Sequence, residues 1–181
     1  MSQVCDVEEL DPHELNNCFN PKGGIPSIGV LKTGYNITDF SSAIETQAAI
    51  DAGKLVIFDK VKANLPEPAA VEGENITGCG AETIVDGFDY TLDVKDFHVN
   101  ANNDTLIKQL NSSDFEGIVF YMCDQDSVRV VLQKITFVST LIIPETKREK
   151  QYYHIIAKWY QSVQTELPTL YDAPEGIYFQ N

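Results

Sequence analysis

Three histidines (His13, His98, His154) and four cysteines (Cys5, Cys18, Cys79, Cys123) are the residues best suited to nucleophilic, acid–base or metal chemistry. Their spacing supports little of it. No two cysteines form a C-x-x-C pair, and the intervals of Cys5 and Cys18 about His13 are long and irregular for a zinc site. No G-x-S-x-G elbow accompanies the histidines, and neither a P-loop nor a G-x-G-x-x-G turn occurs. Gly78-Cys79-Gly80 is a flexible turn without the helix start that cradles phosphate. Carboxylates are the remaining resource: Asp86, Asp89, Asp93 and Asp96 fall in one short span. Parity along a strand puts Asp89 and Asp93 on one face, with Asp86 and Asp96 on the other. A straight strand does not gather the roughly 6–8 oxygens that calcium takes, so this span reads as a solvated face. Asp124-Gln125-Asp126 reads as a hairpin tip. No catalytic, cofactor-binding or metal-binding residue is assigned, no cofactor is expected, and the chain reads as a non-enzyme.

The charge narrows the partners. The 181 residues hold 13 Lys+Arg against 27 Asp+Glu, a net −14. Residues 1–100 carry 17 acids and 6 bases (−11), and residues 101–181 carry 10 and 7 (−3). A nucleic-acid reader needs the opposite sign and aromatics interleaved with Lys or Arg. The charge fits solubility, or a surface that must repel a polyanion. The apolar share of 43% is too high for a disordered acidic chain. The longest apolar run, Ile118 to Cys123, falls far short of the roughly 20 residues of a membrane span. The start lacks the basic stretch and apolar region of a secretory signal, so reduced thiols are expected. The N-x-[ST] triplets at Asn36, Asn75, Asn103 and Asn111 then mark only polar turns.

Residues 1–26 read as an extended arm, acidic early and closed by Asn20-Pro21-Lys22-Gly23-Gly24-Ile25-Pro26, with Leu10, Leu15 and Phe19 available for docking. A strand is expected over Ser27–Lys32. A helix over Asp39–Ala52 has capping-box spacing at Ser42 and Glu45, a stop at Gly53, and Ile44, Ala48, Ala49 and Ile50 as apolar residues. A strand over Lys54–Val61 leads to a loop from Pro66 to about Gly80. Phe88, Tyr90, Leu92 and Val94 alternate with Asp89, Thr91, Asp93 and Lys95, the period of a half-buried antiparallel strand. Asn102–Leu110 is expected as a helix, capped by Asn103 or Asp104, with Leu106, Ile107 and Leu110 as its stripe. Ile118–Met122 and Val128–Val138 form a hairpin, the first apolar on both faces and therefore central, the second with a parity change near Gln133-Lys134 that suggests a bulge. Residues 145–150 are a charged turn. Gln151–Val163 fits strand and helix periods; its Tyr, Ile and Trp residues favour strand. The tail from Leu167 is extended. The fold class is mainly β: an antiparallel sandwich or partly closed barrel with one or two flanking helices, as a domain over 27–163 between an arm (1–26) and a tail (164–181).

The segment Asn16-Asn17-Cys18-Phe19-Asn20-Pro21-Lys22-Gly23-Gly24-Ile25 runs into Ile28-Gly29-Val30-Leu31. Then come the helix over 39–52, Gly53-Lys54-Leu55-Val56-Ile57, the Pro-Glu-Pro loop, the Gly87–Val94 strand and the hairpin at Asp124-Gln125-Asp126. This order, over about residues 15–163, resembles small virion structural proteins, ring or tail-tube-like, of crAss-like tailed phages of Bacteroides-type bacteria. The resemblance implies a tail-tube-like sandwich. It implies copies closing into a ring in the neck or tail, made in the host cytoplasm and built into the virion beside portal and tail proteins. It also implies passage of genome DNA without specific binding, and no membrane. On that reading Asp89 and Asp93 are a possible acidic channel face, and Leu10, Leu15, Phe19, Leu170 and Tyr178 are possible contacts between subunits. The competing expectation is a monomeric β-sandwich module that binds a ligand or carbohydrate.

Overall fold

The computed structural model describes residues 24–77, 80–122, 127–162 and 168–174. Their fold is mainly β: two antiparallel sheets face each other as a sandwich, with two helices, and do not close into a barrel. The first sheet has the order β10-β7-β6-β1-β2, from β1 (Ser27–Lys32), β2 (Leu55–Phe58), β6 (Phe115–Tyr121), β7 (Ser127–Val131) and β10 (Thr169–Asp172). The second has the order β3-β5-β9-β8, from β3 (Lys62–Asn64), β5 (Gly80–Asp96), β8 (Thr136–Ile142) and β9 (Tyr152–Ser162). β4 (Ala69–Thr77) also pairs with β5, alongside its N-terminal half.

Alternation sorts the side chains into two cores. Ile28, Val30, Phe58, Ile118, Phe120 and Val131 point from the first sheet into the space between the sheets. Tyr90, Leu92, Val94, Tyr153, Ile155, Ala157 and Trp159 meet them from the second. Each of the larger aliphatic and Phe side chains contributes about 1.5–3 kcal/mol when fully buried. Trp159 ties the layers together: its ring stacks on Tyr90 at 5.3 Å and contacts Phe120 of the opposite sheet at 5.9 Å. On the other face of the first sheet, Leu31, Leu55, Val119, Val128 and Val130 form a second cluster under Ile37, Phe40 and helix α1 (Ala43–Asp51).

Helix α1 starts four residues later than Asp39. Ser42 is its N-cap, accepting from the Glu45 N–H at 3.3 Å. The Glu45 carboxylate reaches back past the cap to the N–H groups of Thr38 (2.9 Å) and Asp39 (3.1 Å), and these bonds hold its pKa below the usual carboxylate range. Residues 39–41 are thereby committed to a turn. The buried face is Thr46, Ala49 and Ile50; Ile44, expected to pack, is 83% exposed. Gly53, at φ 66°, ends the helix as expected, with Gly53 N–H on Ile50 O and Lys54 N–H on Ala49 O.

Of two stretches expected as single strands, 54–61 stops short at Phe58 and 128–138 divides between the sheets. The chain leaves the first sheet after Phe58, turns at Lys60 (φ 55°), and enters the second at Lys62. Residues 128–138 leave β7 at Val131 and resume as β8 at Thr136, so the parity change marks a crossing rather than a bulge. The loop expected over 66–80 is largely strand: β4 pairs with β5 from Ala69↔Asp89 outward. Gln151–Val163 is strand, as its aromatic and β-branched content favours. Residues 169–172, expected in a tail, hydrogen-bond to β7 as the edge strand β10.

Helix α2 (Ala101–Ser112) is capped by Asn100, upstream of the expected Asn103 or Asp104, and buries Ile107 and Leu110 in the inter-sheet core. Its Asn111 also closes the free edge of β8. The Asn111 amide donates to Ser139 O (2.8 Å), and Ser139 N–H donates to Asn111 Oδ1 (2.7 Å), as a neighbouring strand would. No helix among the described residues is long and apolar enough to cross a membrane. Replacing Asn111 with Ala leaves both Ser139 backbone groups without this partner and should cost about 1–3 kcal/mol in urea unfolding; an unchanged midpoint would show that the edge does not need the clamp.

Candidate functional site

A cleft lies where β5 hands over to α2. Asp96, the last residue of β5, shares the inward parity of Leu92 and Val94 and is buried (4% exposed). Its Oδ1 accepts from the His98 backbone N–H (2.9 Å) and faces the His98 Nδ1 at 2.7 Å. The imidazole is therefore fixed by one nitrogen, and Nε2 has no partner among the described residues. Asn103 donates to His98 O (2.6 Å), and Asn100 Oδ1 accepts the Asn103 N–H (2.9 Å). Underneath, the Tyr153 phenol donates to Asp104 Oδ1 (2.6 Å), with Asn100 O at 3.1 Å, and accepts from the Asn100 N–H (3.3 Å). Burial, and then the bond to Asp104, push the Tyr153 phenol above its ordinary pKa.

The opposite wall comes from the crossing between β2 and β3. Asp59 is held by Ser27, whose hydroxyl donates to its Oδ1 at 2.6 Å. Lys60 follows in the left-handed region, a conformation that costs a non-glycine residue about 1 kcal/mol or more. Asp59, Lys60, Asp96, His98, Asn100 and Asn103 line a cleft of about 500 Å³. A carboxylate-oriented imidazole is the base half of a triad. Among the described residues no serine, threonine or cysteine lines this cleft, and all four cysteines lie outside them. Among the described residues no three His, Cys, Asp or Glu side chains group as a metal would need. What the arrangement offers is hydrogen bonding of both senses to a small polar ligand. The sequence reading assigned parity to Asp96 but not this partner, because the pairing depends on the turn after the strand, where periodicity carries no information.

The outer face of the second sheet holds the expected acidic pair. Asp93 is half-buried and lies 3.1 Å from His154 Nε2; Asp89 is exposed. The pairing register sets lysines among them: Lys62 lies across from Lys95, and Lys158 is opposite Thr91. Two acids and three lysines make this face mixed rather than acidic.

The concentrated acid lies further along. Residues 63–94 contain seven acids (Glu67, Glu72, Glu74, Glu82, Asp86, Asp89, Asp93) and no Lys or Arg. Most of them sit on the ribbon of β4 and the first half of β5, which runs past Gly87, where β9 pairing ends. Ile84 and Val85 are 42% and 43% exposed on it, so neither face is covered there. Asp86 is the extra residue of a bulge, pinned by the Tyr160 hydroxyl donating to its carboxylate (3.0 Å). Gly87 has no side chain because the Tyr160 ring crosses it, and a Cβ there would also lie 2.5 Å from Gln161 O.

Of the proposed subunit contacts, Leu170 is on β10 and 56% exposed. Leu10, Leu15, Phe19 and Tyr178 lie outside the described residues, as do His13, Gly78-Cys79 and Asp124-Gln125-Asp126. No family model, curated protein or solved structure matches the chain.

Tyr153→Phe should lower stability by about 1–2 kcal/mol through the lost bonds to Asp104 and Asn100. Because the folded-state phenol titrates above its unfolded value, its contribution is fully present below about pH 10 and is lost as pH rises further. Denaturant melts across pH 8–11 should therefore show an alkaline loss that is smaller in the variant; identical slopes would remove the phenol from the account.

Proposed function

We propose that the chain is a non-enzymatic structural subunit of a tailed-phage virion, assembling with copies of itself into a ring in the neck or tail, between portal and tail, as part of the DNA conduit. The observation that supports this reading most is the acidic ribbon of β4 and β5. A two-stranded ribbon is marginally stable alone in water, and this one exposes Ile84, Val85 and the free edge of β4. Ribbons lying side by side in a ring would cover those apolar side chains and complete that edge. Seven acids without a base in residues 63–94 would give the lumen a sign that repels phosphate, so DNA slides rather than sticks. The channel role then belongs to Glu72, Glu74, Asp86 and Asp89 more than to Asp93, whose neighbours include Lys95 and His154. Leu10, Leu15, Phe19, Leu170 and Tyr178 are the further contacts to neighbouring copies or to portal and tail proteins.

The cleft at His98 favours a second reading, a β-sandwich module that binds a small polar ligand such as a carbohydrate. Size in solution separates the two. A ring-former gives annular particles by negative stain and a large mass by light scattering at high concentration, and Ile84→Glu with Val85→Glu returns it to monomer without unfolding. A strict monomer at every concentration, with a saturable sugar-dependent rise in Tm that Asn103→Ala abolishes, would replace the ring by the module.

A further inference from the structure

The two sheets differ in how their outer faces are finished. The first is covered by residues 35–40 and α1. No described element covers the second, and one end of it carries an unusual row. Lys62, Lys95 and His154 stand directly opposite one another across β3, β5 and β9. Like charges in directly opposed positions of an antiparallel pair, as Lys62 and Lys95 are, repel. Among the described residues no lysine or arginine forms an ion pair with a carboxylate; the two ion pairs present involve His98 and His154. The ammonium groups lie over aromatic rings instead: Lys62 over Phe97 at 5.6 Å and Lys95 over Tyr152 at 5.5 Å, with the two rings 5.5 Å apart. The result is a patch of two ammonium groups, unpaired among the described residues, and two aromatic rings, bordered by the Asp93–His154 pair, on an uncovered sheet face of an otherwise acidic chain.

We infer that this patch is the docking site of the chain's own acidic arm, residues 6–14. Three observations select that occupant. The first is sign: residues 1–23 hold five acids (Asp6, Glu8, Glu9, Asp11, Glu14) against Lys22 alone. The second is chemistry: Leu10 lies among the acids, with Leu15 and Phe19 just beyond, so the segment brings apolar contacts for the two rings as well as carboxylates for the lysines. The third is the point of attachment. Ile25 bridges to Ala63, accepting its N–H at 3.3 Å, so the arm joins the domain beside the strand that carries Lys62. Nine residues lie between Glu14 and Gly24, an extended reach of about 30 Å. Attachment this close gives the arm a local concentration of about millimolar at its own patch. In the isolated chain it therefore occupies that patch rather than a neighbour's. The inference does not rest on the ring reading, and it is tested on dilute chain where no ring forms.

Acetylation rates at single lysines, read by mass spectrometry on the full chain, test it directly. Lys62 and Lys95 should react severalfold more slowly than in a full-length variant carrying Asp6→Asn, Glu8→Gln, Glu9→Gln, Asp11→Asn and Glu14→Gln. Lys158, beyond the patch on the same face, should not change. The protection should fade at about 0.5 M salt, as screening requires. Equal rates at Lys62 and Lys95 in the two proteins overturn the proposal. Carbodiimide coupling in a mixture of isotopically light and heavy chains gives the second readout. Links from Lys62 or Lys95 to residues 6–14 within one isotope support docking in the same chain. Links found only between light and heavy chains, or protection that appears only when duplex DNA is added, overturn it.

Discussion

The ten-residue antiparallel pairing of β5 with β9, from Gly87↔Ser162 to Asp96↔Tyr153, is the constraint on which the rest of the molecule rests. Its parity decides every other assignment. Because Leu92 and Ala157 point inward together, Tyr90, Val94, Ile155 and Trp159 must too, and Asp93, Lys95 and His154 must point out. A one-residue slip of β9 would expel Trp159 from its place between the sheets and turn Lys158 toward the core. The same register carries Asp96 and Tyr153 to the inner side at the strand end, which is why a buried carboxylate and a buried phenol are available where α2 begins.

The parts of this fold that could be read from the sequence are those in which one physical signal acts alone. Phe88 to Lys95 alternates cleanly because one face is wet and the other dry. Gly53 ends a helix because its φ is positive there. Ile118 to Phe120 are apolar in succession because β6 is covered on both sides. The failures share a cause. At residues 128–138 the apolar pattern continues while the chain changes sheets, and at 59–61 the buried Val61 continues it through the turn that ends β2; periodicity reports burial without reporting which sheet, or whether a sheet, provides it. Along 69–74 no side chain is fully buried, so no hydrophobic period marks the strand; only pairing with β5 defines it. The Asn100 cap was missed for a related reason: Asn100, Asn103 and Asp104 are all suitable caps, and the choice depends on Tyr153, fifty residues away in sequence.

The candidate sites follow the same division. Asp89 and Asp93 were visible as a shared face, but the lysines around them come from β3 and β9, and a single strand does not reveal its neighbours. The cleft joins three separate segments, at Asp59, Asp96 and Asn103, and no motif spans them. The acidic ribbon was partly visible as charge, since residues 1–100 hold most of the net negative charge. Its meaning changed once pairing showed that the acids lie on an uncovered extension rather than on a packed strand.

The Asn111 clamp has a consequence for direction. By giving Ser139, the middle of β8, both of the bonds that another strand would give, it leaves the second sheet with one closed side. A strand that would pair with the middle of β8 must displace this amide, whereas the side of β3 and β4 presents no such block among the described residues. A sheet open on both sides can extend indefinitely, whereas one open on a single side has a valence of one. A side-chain amide on α2 thus sets a limit on growth that no surface charge could set, because it occupies the hydrogen bonds themselves.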